Sequence, residues 1–324
     1  MANDALLVNP DNQSQLGITT HGSDWLWAVF AVMLLTDLVV IGWHFTIPRG
    51  QRLFHQLGAI ILTTATIAYF SMASNLGSTP IATEFAYLGY PIGTLRQIWY
   101  VRYIDWVITT PALLLELTLA SGLPLSDIIT LVFFDLVMII TGLVGALVAS
   151  SYKWGYYVFG NLALFYILWV LFGPARTSAG AIGPAYKRSF TSSAAVLSFL
   201  WFLYPIAWGI ADGASVIHPD SEMIFYGVLD VLAKPVFIIY HLFSLSKLDL
   251  TALRLQSGKF TDSADVTHHD REKHARANDM ATAGTAAPAK KGMFSRKGAR
   301  DATPAVVTTY DNEPRTSQAT YTAA

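Results

Sequence analysis

The chain has 324 residues, 53% hydrophobic and 13% charged, with a formal net charge of −1. Soluble domains average about 25% charged residues; the charges here crowd into the tails and the short gaps between apolar runs, which excludes an ordinary soluble domain and fits a polytopic membrane protein. The absence of cysteine rules out disulfides, thiolate chemistry and cysteine metal sites, no metal site is assigned, and the near-neutral charge gives no sign of a nucleic-acid partner.

Residues 1–24 carry Asp4, Asp11 and Asp24 and no Lys or Arg, and read as an extracellular segment. The first apolar run has no basic region ahead of it and is too long for a signal core, so no cleaved signal peptide is expected. Apolar runs lie at 25–47, 54–74, 98–120, 127–148, 156–172, 190–211 and 221–245. Each has about 17–25 residues, the length that takes an α-helix across about 30 Å of hydrocarbon. The fold class is therefore all-α, a seven-transmembrane helix bundle over residues 25–248. Pro111, Pro205 and Pro235 fall inside the third, sixth and seventh runs, where neighbouring helices can satisfy the carbonyls they free. Residues 76–96 are rich in Gly and Pro and leave room for a strand pair. Residues 249–324 lack apolar periodicity and read as a disordered cytoplasmic tail. Its basic cluster, Lys290, Lys291, Arg296, Lys297 and Arg300, is either a solvated surface or a contact for anionic lipid.

Lys and Arg set the orientation. Arg49, Arg52, Arg176, Lys187, Arg188, Lys247, Arg254 and Lys259 fall on one side of the membrane, against Arg96 and Lys153 on the other. The positive-inside rule puts the N-terminus outside and the C-terminus in the cytoplasm. The expected location is the plasma membrane, as a multi-pass protein.

Ionisable residues inside a membrane cost about 2.5–3.5 kcal/mol each on insertion scales, so each is a functional hypothesis. Lys234 sits near the middle of the seventh run, in "VLDVLAKPVF", with Asp230 one turn earlier on the same face. The pair is either an ion pair that lets the lysine exist, or an amine that forms a Schiff base with an aldehyde beside its counterion. The third run, "RYIDWVITTPALLLEL", holds Arg102, Asp105 and Glu116. Eleven residues make three helical turns plus about 20°, so Asp105 and Glu116 share one face about 16.5 Å apart along the axis. Thr109 lies between them, one turn on from Asp105. Asp105 faces cations and stays ionised. Glu116, in "LLLELTL", either holds its proton among the leucines or reaches back to the cytoplasmic interface. Two carboxyls in opposite protonation states can serve as a base and an acid. Asp135 and Asp37 are further buried acids, and no role is assigned to Asp37. In the sixth run, "WFLYPIAWG" puts Trp201, Tyr204 and Trp208 on one face, which is either helix packing or the wall of a slot for a long flat apolar ligand.

Together these segments, with the "ADG…HPDSE" loop before the seventh run, resemble the microbial (type 1) rhodopsins over residues 25–248, and most closely the fungal light-driven proton pumps of bacteriorhodopsin type. The resemblance implies all-trans retinal bound to Lys234 as a protonated Schiff base. It implies Asp105 as primary counterion and proton acceptor, Asp230 as second counterion, Glu116 as cytoplasmic proton donor and Arg102 as an external gate that responds to Asp105. Asp212 and Glu222 match the family's release-site pair. The retinal pocket carries over as Trp106, Thr110, Leu113, Met138, Trp201, Tyr204 and Trp208, with Tyr69 bonded to the second counterion and Asp135 as a protonated structural acid behind the ring. Glutamate at the donor position, aspartate at the outer release position, and Tyr157, Gly160 and Leu164 in the fifth run depart from the archaeal pumps.

The implied activity is outward, light-driven proton transport by an ion transporter rather than an enzyme. Its partners are membrane lipid, retinal and protons, with room for a homo-oligomer such as a trimer. The alternative is a light sensor of the same fold with a slow photocycle. The "D…T…E" pattern at 105, 109 and 116 disfavours a chloride or sodium pump.

Overall fold

The computed structural model describes residues 3–87 and 89–255; the basic cluster at 290–300 lies outside them. A one-turn helix, α1 (Ala5–Val8), precedes α2 (Thr20–Thr46) and α3 (Leu53–Ala73). Then come β1 (Thr79–Ala82) and β2 (Leu95–Ile98), followed by α4 (Tyr100–Ser121) and α5 (Leu125–Leu147). The last three long helices are α6 (Lys153–Ile182), α7 (Pro184–Gly213) and α8 (Pro219–Leu245). The helices α2 to α8 are the seven that are long and apolar enough to cross a membrane. Each packs on its sequence neighbours, and α8 returns to α2, so the bundle closes. Of the seven, α4 is the most deeply buried, and it carries Arg102, Asp105 and Glu116.

Helix ends differ from the apolar runs where polar residues extend the helix. Thr19 caps α2 by accepting from the His21 N–H, so the helix starts five residues before residue 25. The fifth run ends at residue 172, yet α6 passes through Pro174 in a π-helical turn, Leu171–Ala175, and continues to Ile182. The wider turn accommodates a proline that lacks an N–H. Similar turns at Gly209–Gly213 and Leu232–Val236 end α7 and interrupt α8 at Pro235. Gly122, at φ 69°, closes α4 in the left-handed conformation that glycine adopts freely. At the C-terminal end, Asp249 caps a 3₁₀ turn, Leu250–Leu253, and Leu253 is buried. Packed chain therefore extends past residue 248, into the first residues of the segment read as tail.

The strand pair is present. β1 and β2 pair antiparallel, Thr79 opposite Ile98 and Ala82 opposite Leu95. Leu16 bridges to Arg96, and the Gln97 side chain accepts from the Ile18 N–H and donates to Asn75 and Ser78. Thr19 donates to Asp220 through both its N–H and its hydroxyl, tying the start of α2 to the start of α8. This lid at the N-terminal end of the bundle buries Arg96.

At Gly227, α8 packs closely on α2. A Cβ there would run into the Trp25 indole nitrogen, which donates to the Met223 carbonyl at 3.0 Å. The overpacking exceeds the roughly 1 kcal/mol that Ala gains over Gly in a helix. Gly227→Ala is expected to cost about 1 kcal/mol net, read as a lower Tm of the solubilised protein; an unchanged or higher Tm would show that Trp25 moves aside freely.

Candidate functional site

Pro235 and the π-turn place Lys234 in the centre of the bundle, 1% exposed. Its amine stands 2.5 Å from Asp105 Oδ2 on α4 and 3.1 Å from Asp230 Oδ1, one turn back on α8. The two carboxylates are not equivalent. Asp230 also accepts from the Tyr69 hydroxyl at 2.7 Å and the Tyr204 hydroxyl at 2.6 Å. Asp105 Oδ1 is buried without a hydrogen-bond partner. Thr109 is fully buried one turn on, with its hydroxyl turned back to the Asp105 carbonyl at 2.9 Å.

Beside the amine lies a cavity with mostly apolar walls, as small-molecule sites commonly have. Trp106, Thr110 and Leu113 of α4 line it, as does Met138 of α5. Trp201, Tyr204 and Trp208 of α7 complete it, with Asp230 and Lys234 at its polar end. Tyr69 lies outside the lining and reaches the site through Asp230. Of the α6 positions, Tyr157 and Gly160 line the cavity and Leu164 does not. Tyr157 stacks on Trp208 at 5.1 Å, and Trp106 meets Tyr204 edge-on at 5.3 Å. Thr110 donates to Asp135 at 2.8 Å, so this acid stands behind the wall without a cation. A slot of aromatic rings that ends on an amine flanked by two acids fits retinal.

At the N-terminal end of the bundle, Arg102 points away from Asp105. Its guanidinium donates to Glu222 Oε1 at 2.7 Å and lies over the Tyr226 ring, 4.0 Å from the centroid. Among the described ion pairs Arg102 is joined to Glu222 and not to Asp105. The other oxygen of Glu222 accepts from Arg96 at 2.7 Å. Asp212 has no such clamp; it accepts from Tyr103 at 3.0 Å and Tyr226 at 3.3 Å. Lys153 is buried and faces the carbonyls of Asp212 and Gly213, where a cation favours a helix C-terminus. Arg96 and Lys153 read in the sequence as loop charges. Their partners lie 126 and about 60 residues away, so no local pattern marks them.

Toward the other end, Glu116 is fully buried, and neither carboxyl oxygen has a hydrogen-bond partner. Gly58 faces it from α3 and His241 from α8, with His241 Nε2 3.6 Å from Oε2. His241 carries no motif that singles it out in the sequence. Asp37 bonds to Thr63 at 2.8 Å between α2 and α3 and takes no part in this constellation.

Residues 20–248 match the family model of bacteriorhodopsin-like proteins. The chain is 52% identical over 264 residues to protein FDD123 of Trametes versicolor, covering 82% of this chain and 91% of that one. It is 51% identical to the opsin-like protein carO of Fusarium fujikuroi, over 72% of this chain and 78% of that one. The crystal structure of a light-driven proton pump from Leptosphaeria maculans matches with a TM-score of 0.68 at 36% identity, covering 72% of this chain and 99% of that one.

Glu222 held between two arginines is a buried charge cluster, in which losing one partner leaves an imperfectly compensated charge. Arg96→Gln is expected to cost about 3 kcal/mol of stability, read from thermal denaturation. Adding Glu222→Gln should recover part of the loss; strictly additive losses would show that the two side chains are not coupled.

Proposed function

We propose that this chain, which belongs to the bacteriorhodopsin-like family, is a light-driven outward proton pump. Members of the family carry a retinal chromophore. Lys234 would hold retinal as a Schiff base, and the bound chromophore would supply a light-driven change of shape. One observation carries the reading: the Lys234 amine stands between two carboxylates, and only Asp105 has an oxygen free to receive a proton. Asp230 accepts from two tyrosine hydroxyls, which fix its carboxyl beside the amine.

Asp105 takes the proton from the Lys234 nitrogen. Neutral Asp105 no longer opposes the field of Arg102, whose balance with Glu222 then shifts. Glu222 is occupied by two cations, so Asp212, held by hydroxyls alone, is the release-site carboxyl that can hold a proton without breaking an ion pair. Glu116 lies eleven residues further along α4, on the far side of Lys234, and returns a proton to its nitrogen. Thr109 sits on the α4 face between the two acids and fixes the turn that carries Asp105.

The direction rests on charge asymmetry. Arg96, Arg102 and Lys153, cations of the N-terminal end, are all buried. Arg176, Lys187, Arg188, Lys247 and Arg254, at the other end, are exposed. That contrast supports a cytoplasmic C-terminal end, with Glu116 on the cytoplasmic side of Lys234 and Asp105 on the outer side.

Cells that express the chain with retinal should acidify an unbuffered medium under illumination, and an uncoupler should abolish the signal. An intact pigment without acidification would transfer the reading to a light sensor of the same fold. Lys234→Ala should give no visible colour, and a normal spectrum would remove the linkage. Glu116→Gln should leave the dark colour unchanged and slow reprotonation of the Lys234 nitrogen by about 100-fold, the lower end of what a general acid or base contributes; an unchanged rate would remove Glu116 from the path.

A further inference from the structure

The Glu116 carboxyl is buried with both oxygens unpartnered. Gly58 opposite it turns its backbone, and no side chain, toward the carboxyl; a Cβ there would lie 3.7 Å from Oε1. His55, the other buried histidine on that side, packs edge-on against Trp43, and neither of its nitrogens has a partner. The polar side-chain atom that faces the carboxyl is His241 Nε2.

His241 is seven residues after Lys234 on α8, two turns on and on the same face, about 10 Å further along the axis. Its ring is held flat against Phe237, with centroids 5.5 Å apart and planes 9° apart, and Phe54 meets its edge. Nε2 lies 3.2 Å from the Glu116 carbonyl oxygen, and Nδ1 lies 2.9 Å from Ser193 Oγ. A carbonyl oxygen only accepts, so Nε2 carries the hydrogen and Nδ1 accepts from the serine. This assignment comes from the partners and fixes the tautomer. The Nε2–H group therefore rests on the backbone of the residue whose carboxyl is 3.6 Å away.

We propose that His241 is a switching hydrogen-bond donor for Glu116, a role that rests on Glu116 being the proton donor to Lys234. While the acid holds its proton, Nε2–H bonds the Glu116 carbonyl. Once the acid has given its proton to the Lys234 nitrogen, Nε2–H turns to the carboxylate Oε2. Closing from 3.6 Å to a charge-assisted contact of about 2.8 Å needs only a side-chain rotation. A carboxylate without a side-chain donor in this apolar pocket is strongly disfavoured, and an aimed side-chain donor lowers that penalty at the moment the charge forms. The imidazole stays neutral and keeps its proton throughout. The proton that Glu116 loses goes to Lys234, and the one that it regains comes from the C-terminal end of the bundle. His241 is thus a positioning residue, acting through Glu116.

The test is flash photolysis of the full-length protein with retinal in membranes, following reprotonation of the Lys234 nitrogen in the visible. The dark spectrum of each variant reports an intact pigment. His241→Leu should slow reprotonation by about tenfold or more, the factor that a hydrogen bond to a charged group carries. His241→Gln, whose amide nitrogen reaches the place of Nε2, should keep most of the rate. Ser193→Ala, which releases the tautomer, should slow reprotonation and decides the matter if His241→Leu gives no pigment. An unchanged rate in His241→Leu or Ser193→Ala, beside a slow Glu116→Gln, overturns the role. Gln as slow as Leu overturns it in favour of a ring that itself carries the proton. An unchanged Glu116→Gln defeats the donor reading, and this role with it.

Discussion

Lys234 places a positive charge in the middle of an apolar bundle, and the arrangement of α4, α7 and α8 follows from compensating it. One carboxylate would neutralise the ammonium; the structure supplies two, from different helices. The surplus negative charge is tolerable because Asp230 spreads its share over two tyrosine hydroxyls, from α3 and α7. Four helices thus converge on one nitrogen. The π-turn that holds Lys234 and Pro235 sets the amine at the polar end of the aromatic slot. Because Asp105 lacks the tyrosine support that Asp230 has, the same geometry that stabilises the cation leaves one of its two partners ready to change protonation state.

Every other charge in the bundle is settled by a similar comparison of costs. Glu222 is ionised because two guanidiniums reach it. The hairpin and the N-terminal segment, which look like a surface connection, serve to bury Arg96 beside Glu222. Glu116, Asp135 and Asp37 have no strong cation partner and are cheapest as neutral acids. Fixed ion pairs therefore gather toward the N-terminal end, and an acid with nothing to hold its charge sits toward the other.

The sequence made much of this legible, for reasons that are local. Helical period alone puts Asp105 and Glu116 on one face, and Lys234 one turn from Asp230. The length of the apolar runs gives seven spans. What stayed hidden acts across long separations or through backbone detail. Arg96 and Lys153 counted as loop charges because nothing nearby shows their burial. The carboxylate that takes the Arg102 guanidinium, Glu222, lies 120 residues on, where no local pattern links the two. His241 sits in an apolar run with its partners 48 and 125 residues away. The extension of α6 through Pro174 was invisible because a proline reads as a boundary unless neighbouring helices support a π-turn.

The asymmetry between the two ends bears on how a symmetric event at Lys234 could move protons one way. A nitrogen that loses and regains a proton has no preferred direction of its own. Preference needs a nearby acceptor on one side that is charged at the start, and on the other a donor that is neutral at the start and hard to ionise. Asp105, already in contact with the nitrogen, meets the first need at once. Glu116 meets the second later, because forming its carboxylate requires a new partner to be turned toward it. Under the proposed function, the order of transfer follows from this difference in readiness. A longer acid side chain opposite a glycine then has a physical sense: Gly58 brings no side chain against the Glu116 carboxyl, which lies within reach of the His241 imidazole that would steady its charge.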